Sequence, residues 1–357
     1  MSKIQSVKIV GAGLLGSSLG LALMRKGITC FLSDSSKANL RLAIEYGAGE
    51  EFSNQNPDLV VVCVPPDATA ETISRELRNH PDAVVTDVAS VKGAVLEELR
   101  ELGAENLERY VGSHPMAGRE KGGPASGRAD LFFARPWVIT SRSDNSQERV
   151  ELVRELALAV GSLPIEMSTA EHDSAVALVS HLPQLVSSAL AAELVSGSAA
   201  DLSLAGQGLR DTTRIASSDP ELWMQILSRN AKAIAPHLKS VAGRLAEIAN
   251  TIEQIEQSGS LAKLHTTLSE GNSGVERIPG KHGGKYSNYA TVTVIIDDSP
   301  GALASLLTFI GSIGVNIEDL KLEHSPGAQI GLAEVQVLPE AQERLASELT
   351  KNGWRLV

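Results

Sequence analysis

Gly11-Ala12-Gly13-Leu14-Leu15-Gly16 decides the fold, because an apolar strand pattern at residues 7–10 leads into it and a helical run at residues 17–25 leaves it. In that context the spacing has a mechanism. Gly11 permits the tight turn, Gly13 lets the backbone approach a pyrophosphate, and Gly16 lets helix pack closely on strand, while the helix start, with Leu14 and Leu15 in the same turn, offers oriented N–H donors. Asp34 follows at the end of the second strand pattern, about 20 residues on, where a carboxylate binds both ribose hydroxyls and repels a 2′-phosphate. NAD rather than NADP is the expected cofactor. The alternative is a glycine turn beside a surface aspartate, and strand, turn, helix and acid in order weigh against it. Val64-Pro65-Pro66-Asp67 ends a further strand on the same edge and is expected to border the cofactor too.

Outward from this start, β-rich runs at residues 7–10, 30–32, 59–64, 83–87, 110–113, 137–140 and 163–167 alternate with helical stretches. Such alternation predicts an α/β domain of the Rossmann type, a doubly wound and mostly parallel sheet, over residues 1–168. Leu59-Val60-Val61-Val62-Cys63-Val64 is apolar without alternation, as a central strand covered on both faces must be. Over residues 169–269 strand signals vanish and long helical patterns predict an all-helical second domain. Within it, Asp219-Pro220-Glu221 reads as a helix start, with Asp219 as cap and Pro220 in the first turn. Residues 270–289, rich in glycine and poor in large apolar side chains, read as a linker. The remainder, 290–357, runs strand, helix, strand, strand, helix, strand: a small ferredoxin-like βαββαβ module.

A formal net charge of -11 argues against a nucleic-acid footprint or attachment to anionic lipid, both of which need basic clusters. An anionic substrate must therefore meet locally placed arginines. Cys30 and Cys63 sit singly in apolar strand-like runs, and the N-terminus enters a strand pattern without the apolar core of a signal peptide, so a reducing, cytoplasmic setting is expected. Residues 175–195 tempt a hydropathy window, yet they hold His181, Pro183, Gln184 and Glu193, an expensive set inside a membrane. A helix buried between the subunits of a homodimer is the better reading.

Chemistry is expected at the carboxyl edge of the sheet. His114, in Gly112-Ser113-His114-Pro115-Met116-Ala117-Gly118, follows a strand pattern and can accept a proton near neutral pH; its alternative is a structural histidine closing a turn. Ser90, in Asp87-Val88-Ala89-Ser90-Val91-Lys92, can hold a substrate hydroxyl, or cap the helix that follows, or both. Arg214, in Asp211-Thr212-Thr213-Arg214-Ile215-Ala216, supplies a planar cation able to grip a carboxylate through two parallel hydrogen bonds, whereas Arg210 is the weaker candidate and can pair with Asp211 or solvent. Ser180, His181 and Gln184 flank a kink-prone Pro183 that can turn them toward the site, although a core histidine bonded to a carbonyl explains His181 as well. Glu120 and Lys121 read as a solvated turn or a lid. His172 and His181 lack metal-ligand spacing and no HExxH occurs, so no metal is expected.

Together these motifs resemble the prephenate and arogenate dehydrogenase (TyrA) family with a C-terminal ACT domain, the last marked by Asp298-Ser299-Pro300-Gly301-Ala302-Leu303. The resemblance spans essentially the whole chain. It implies NAD-dependent oxidative decarboxylation of prephenate to 4-hydroxyphenylpyruvate in tyrosine biosynthesis. In that role His114 would be general base toward the C4 hydroxyl, Ser90 would orient both, and Arg214 would bind a substrate carboxylate. Many relatives carry a second histidine where this chain has Gln184, so arogenate, giving tyrosine directly, is the alternative substrate. The ACT resemblance implies feedback by tyrosine, with Asp298, Pro300 and Gly301 beside Asn316 and Ile317 as the binding edge.

Overall fold

The computed structural model describes residues 4–119, 122–279, 289–324 and 330–357. The chain divides into two compact units, Met1–Ser198 with Thr212–Val241, and Ala199–Asp211 with Ala242–Val357.

In the first unit, β1 (Ser6–Val10), β2 (Thr29–Ser33), β3 (Glu50–Glu51), β4 (Leu59–Val62) and β5 (Val84–Asp87) form a wholly parallel sheet in the order β3-β2-β1-β4-β5. The order reverses beside β1, which opens a crevice at the carboxyl edge where the strand connections part. Both faces are covered. Leu59 and Val61 join Val7, Ile9, Leu19 and Leu23 on one side, while Val60 and Val62 join Val10, Ile73 and Leu77 on the other. This double burial is why β4 is apolar throughout rather than alternating.

The remaining strands of this domain, β6 (Gly112–Pro115), β7 (Pro136–Thr140) and β8 (Leu163–Glu166), form a separate three-stranded sheet in which β6 is antiparallel and β8 parallel to β7. A single parallel bridge, Val85 to Tyr110, joins it to the first sheet. His114 therefore lies within a strand, opposite Val138, and not after one as the sequence suggested. The position still serves the site: His114 is four residues past Tyr110 as Ala89 is four past Val85, so it projects beyond the end of β5 at the level of the Ser90 loop.

From Thr169 the unit is helical. Ser168 and Glu171 form a reciprocal capping box that starts the helix Thr169–Val176, and Asp219 caps Pro220–Arg229 through the Glu221 N–H, as its sequence foretold. Helix Pro220–Arg229 is held to the nucleotide half by Arg229 Nε donating to Glu98 at 3.0 Å. The helical run Thr169–Ser196 is long and apolar enough to cross a membrane, yet it contains buried His172, His181 and Gln184 beside exposed Leu178, Val179 and Leu190.

In the second unit, β9 (Ala290–Asp297), β10 (Asp319–His324), β11 (Ile330–Val337) and β12 (Arg355–Leu356) form an antiparallel sheet in the order β10-β11-β9-β12, with helices Ala302–Ser312 and Pro339–Lys351. This is the expected βαββαβ module, its core built from Val294, Leu306, Ile310, Val335 and Leu345. One boundary differs. Residues 270–275, expected to open a linker, are the last turns of helix Ser260–Val275, held in part by Arg244 pairing with Glu270 at 2.7 Å. Extending a nucleated helix costs little per residue, even through glycines at about 1 kcal/mol each. Residues 280–288 of that stretch lie outside the described residues, as do Glu120 and Lys121.

Candidate active site

At the carboxyl edge, Gly11 adopts φ +101°, and a Cβ there would stand 2.4 Å from the Cys63 carbonyl oxygen. A Cβ on Gly16 would lie 1.8 Å from the Gly11 carbonyl oxygen, whereas one on Gly13 would meet nothing within 4 Å among the described residues beyond its chain neighbours. The three glycines thus have different reasons: two are packed against backbone, and the third faces open space at the start of helix Leu14–Met24, whose first turn has no side-chain cap. That is the form of a pyrophosphate cradle. Asp34 stands beside it, accepting the Ala12 N–H at 2.6 Å and the Ser36 N–H at 2.7 Å, one on each oxygen, which leaves lone pairs for ribose hydroxyls. Val64 and Pro65 follow β4 on the same edge, and Pro66 opens the next helix.

Beyond the end of β5 lies a cluster of histidines that the sequence did not reveal as a group. The His114 ring, 8% exposed, has Nδ1 2.9 Å from Nε2 of fully buried His172, and His172 Nδ1 is 2.8 Å from Asp173 Oδ1. Asp173 also accepts the N–H groups of Lys92 at 2.9 Å and Gly93 at 2.7 Å, so it caps helix Gly93–Glu101 from a distant part of the chain. Ser90 is accordingly not that helix's cap; it sits partly exposed in the preceding loop. Burial raises the Asp173 carboxyl's pKa, but hydrogen bonds from His172, Lys92 and Gly93 outweigh it and hold it below the ordinary carboxylate range.

Behind His114, Lys92 pairs closely with Asp87 and donates to the Ser113 carbonyl at 2.8 Å, while Tyr110 donates to Asp87 at 2.9 Å. Loss of solvent, together with His172, Lys92 and His181 nearby, pushes the His114 imidazolium well below the usual histidine range. His114 is therefore neutral at pH 7 and able to accept a proton.

His181 ends a wide, i→i+5 turn, Ala177–His181, between helices Thr169–Val176 and Leu182–Glu193. Such turns re-aim side chains, and it is this turn, upstream of Pro183, that interrupts the regular helix. Asn230 donates to His181 Nδ1 at 3.1 Å and to the Asp173 carbonyl at 2.8 Å, and Trp223 packs edge-on at 6.0 Å. His181 and Gln184 are buried and Ser180 is partly exposed; Gln184 Nε2 donates to Ser188 at 3.3 Å.

Arg214 lies exposed on the short turn Arg214–Ser217, which packs on Leu182–Glu193; Ser187 donates to the Thr212 carbonyl at 2.7 Å beside it. Arg210 is exposed on helix Gln207–Thr213. In the second unit, Gly301 at φ +90° turns the chain into helix Ala302–Ser312, Asp298 and Pro300 precede it, Asn316 donates to Glu318 at 2.7 Å, and Ile317 packs on the module's core.

The buried histidines give stability a direction with pH. Burial, opposed by Asp173 and aided by His172, pushes His181 down to about 4 from 6.5. Between those values the unfolded chain binds a proton that the folded chain refuses, so this contribution is complete above pH 6.5 and is lost as pH falls through 4. Urea unfolding at pH 7.5 and pH 5 is expected to show a loss of about 2 kcal/mol from this residue, absent in His181→Gln. An unchanged pH dependence in the variant would place the loss elsewhere.

Comparison with known proteins gives two family matches: residues 19–165 match the nucleotide-binding domain of prephenate dehydrogenase, and residues 168–270 match its dimerization domain. The probable prephenate dehydrogenase NovF of Streptomyces niveus is 31% identical, over 98% of this chain and 99% of its own. Among solved structures, prephenate dehydrogenase from A. aeolicus, in complex with hydroxyphenyl propionate and NAD+, superposes with a TM-score of 0.66 at 28% identity, covering 76% of this chain and 98% of that one. Synechocystis arogenate dehydrogenase superposes with a TM-score of 0.61 at 27% identity, covering 76% of this chain and all of that one.

Proposed function

The chain belongs to the prephenate dehydrogenase family, and on that premise we propose that it catalyses the NAD-dependent oxidative decarboxylation of prephenate to 4-hydroxyphenylpyruvate. The observation that carries this reading is the neutral His114 imidazole, bonded to His172 and lying beyond the end of β5 at the carboxyl edge of the sheet. The open face of Gly13 and the carboxylate of Asp34 fit a dinucleotide diphosphate and its ribose. Bound there, NAD supplies the hydride acceptor for the ring C4. His114 takes the C4 hydroxyl proton as the hydride departs, which lets the electrons of the breaking bond from C1 to CO2 flow into the ring. Ser90 orients the hydroxyl. Arg214 binds a substrate carboxylate, and Ser180, His181 and Gln184 contact the substrate.

Two observations support an assembly of two chains: residues 168–270 match a dimerization domain, and Leu178, Val179 and Leu190 leave an apolar face exposed on the single chain. Sedimentation at the mass of one chain would oppose it. Arogenate is the second reading for substrate, because Gln184, a neutral amide, suits a keto or an amino side chain, and a solved relative is an arogenate dehydrogenase. Tyrosine is the proposed effector of the βαββαβ module, at Asp298, Pro300, Gly301, Asn316 and Ile317.

One assay tests these points: NADH formation from prephenate and arogenate in parallel, with NAD and NADP, with and without tyrosine. Expected is a higher kcat/KM for prephenate with NAD, and inhibition by tyrosine. A preference for arogenate would establish the second reading, no turnover of either would remove both, and indifference to tyrosine would remove the effector.

A further inference from the structure

We propose that His172 and Asp173 are positioning residues that fix which nitrogen of His114 carries the proton, holding it on Nδ1 and leaving Nε2 as the bare acceptor. The inference rests on the reading of His114 as the base and adds what makes it one. It follows from counting donors and acceptors along the row. An ionised carboxylate can only accept, and Asp173 Oδ1 lies 2.8 Å from His172 Nδ1, so that nitrogen carries a proton. With the His172 proton on Nδ1, its Nε2 turns a lone pair toward His114. His114 Nδ1, 2.9 Å away, can bond to it only by donating. The single proton of neutral His114 is thereby held on the buried side of the ring, and Nε2 keeps its lone pair. Without the row both tautomers are open to His114, and the one with a proton on Nε2 cannot act as a base.

The same carboxylate has a second task. By accepting the N–H groups of Lys92 and Gly93 it anchors the end of the loop that carries Ser90, so the orientation of the hydroxyl and the tautomer of the imidazole depend on one residue. Asp173 is already occupied on both oxygens by these donors and by His172, which leaves the ring little freedom to rotate. His172 is 0% exposed, so no water competes for either nitrogen. The arrangement has the logic of a carboxylate, an orienting base and a reacting group in series, in which the partly buried carboxylate is not itself protonated during the reaction.

The test reads the tautomer directly. In protein labelled with 15N at histidine, long-range proton–nitrogen spectra at pH 7.5 should show His114 with a protonated Nδ1 and a bare Nε2; a proton on Nε2 overturns the proposal, whatever any variant does. His172→Leu removes the acceptor and is expected to mix the tautomers and to lower kcat about 100-fold with KM changed less than about threefold. His172→Gln, which restores an acceptor toward His114 and a donor toward Asp173, should recover at least about tenfold of that loss. Unchanged kcat and an unchanged tautomer in folded His172→Leu would overturn the proposal and leave His114 as the base, whereas full activity in His114→Asn would remove the base itself.

Discussion

Replacing His114 by asparagine is expected to lower kcat about 1,000-fold while KM moves less than about threefold. The choice of asparagine isolates the effect. Its amide nitrogen stands near the place of Nδ1 and can still donate to His172, so the buried row survives, but nothing replaces Nε2. Because the imidazole is held neutral chiefly by burial, with Lys92 nearby, its contribution in the wild type is available throughout neutral pH. Steady-state NADH formation checks this with substrate saturating and limiting. A loss confined to KM would mean that His114 binds the substrate and does not take its proton.

The second large effect separates two glycines of one motif. Gly16→Ala places a methyl 1.8 Å from the Gly11 carbonyl oxygen and 3.2 Å from Ile9 Cγ2, so helix Leu14–Met24 must move off β1. A cost of about 3 kcal/mol or more is expected, read as a fall in Tm, together with loss of NAD binding. Gly13→Ala is different. Its methyl meets no atom of the described residues beyond its chain neighbours within 4 Å, so Tm should hold, while NAD affinity falls at least about tenfold because the methyl occupies the approach to the pyrophosphate. Thermal unfolding and calorimetric titration with NAD measure both quantities. Unchanged affinity in Gly13→Ala would mean that the diphosphate does not lie over this turn.

Much of the architecture was legible because each signal was local. The strand, glycine turn and helix at residues 6–24 are contiguous, and the unbroken apolar run of β4 announces burial on both faces. The βαββαβ order was equally plain, since Val294, Ile296, Val335 and Val337 alternate with outward residues. What escaped notice depends on pairing across the chain. Residues 110–113 read as another parallel strand, yet β6 pairs antiparallel with β7, and period-two patterns carry no sign of direction. β3, two residues long, is too short to show a period.

The arrangement of the candidate site was legible in part for the same reason. Motif spacing marked His114, Ser90 and the glycine cradle, but His172 and Asp173 lie on a helix start whose capping box explains the local sequence without them. Asp173 reaches Lys92 and Gly93 some eighty positions back, and Asn230 reaches both His181 and the Asp173 carbonyl. Such contacts leave no pattern along the chain. Lys92 is the instructive case: it closes the quoted Asp87–Lys92 motif with no local sign of a buried role, yet it is 1% exposed and ion-paired with Asp87.

The most direct measurement is the geometry of a complex with NAD and hydroxyphenyl propionate, whose phenol oxygen stands where the reacting hydroxyl would be. Expected is that oxygen within about 2.6–3.2 Å of His114 Nε2, with the carboxylate held by an arginine. A phenol oxygen bonded elsewhere, with His114 Nε2 turned into protein, would contradict the assignment of the base.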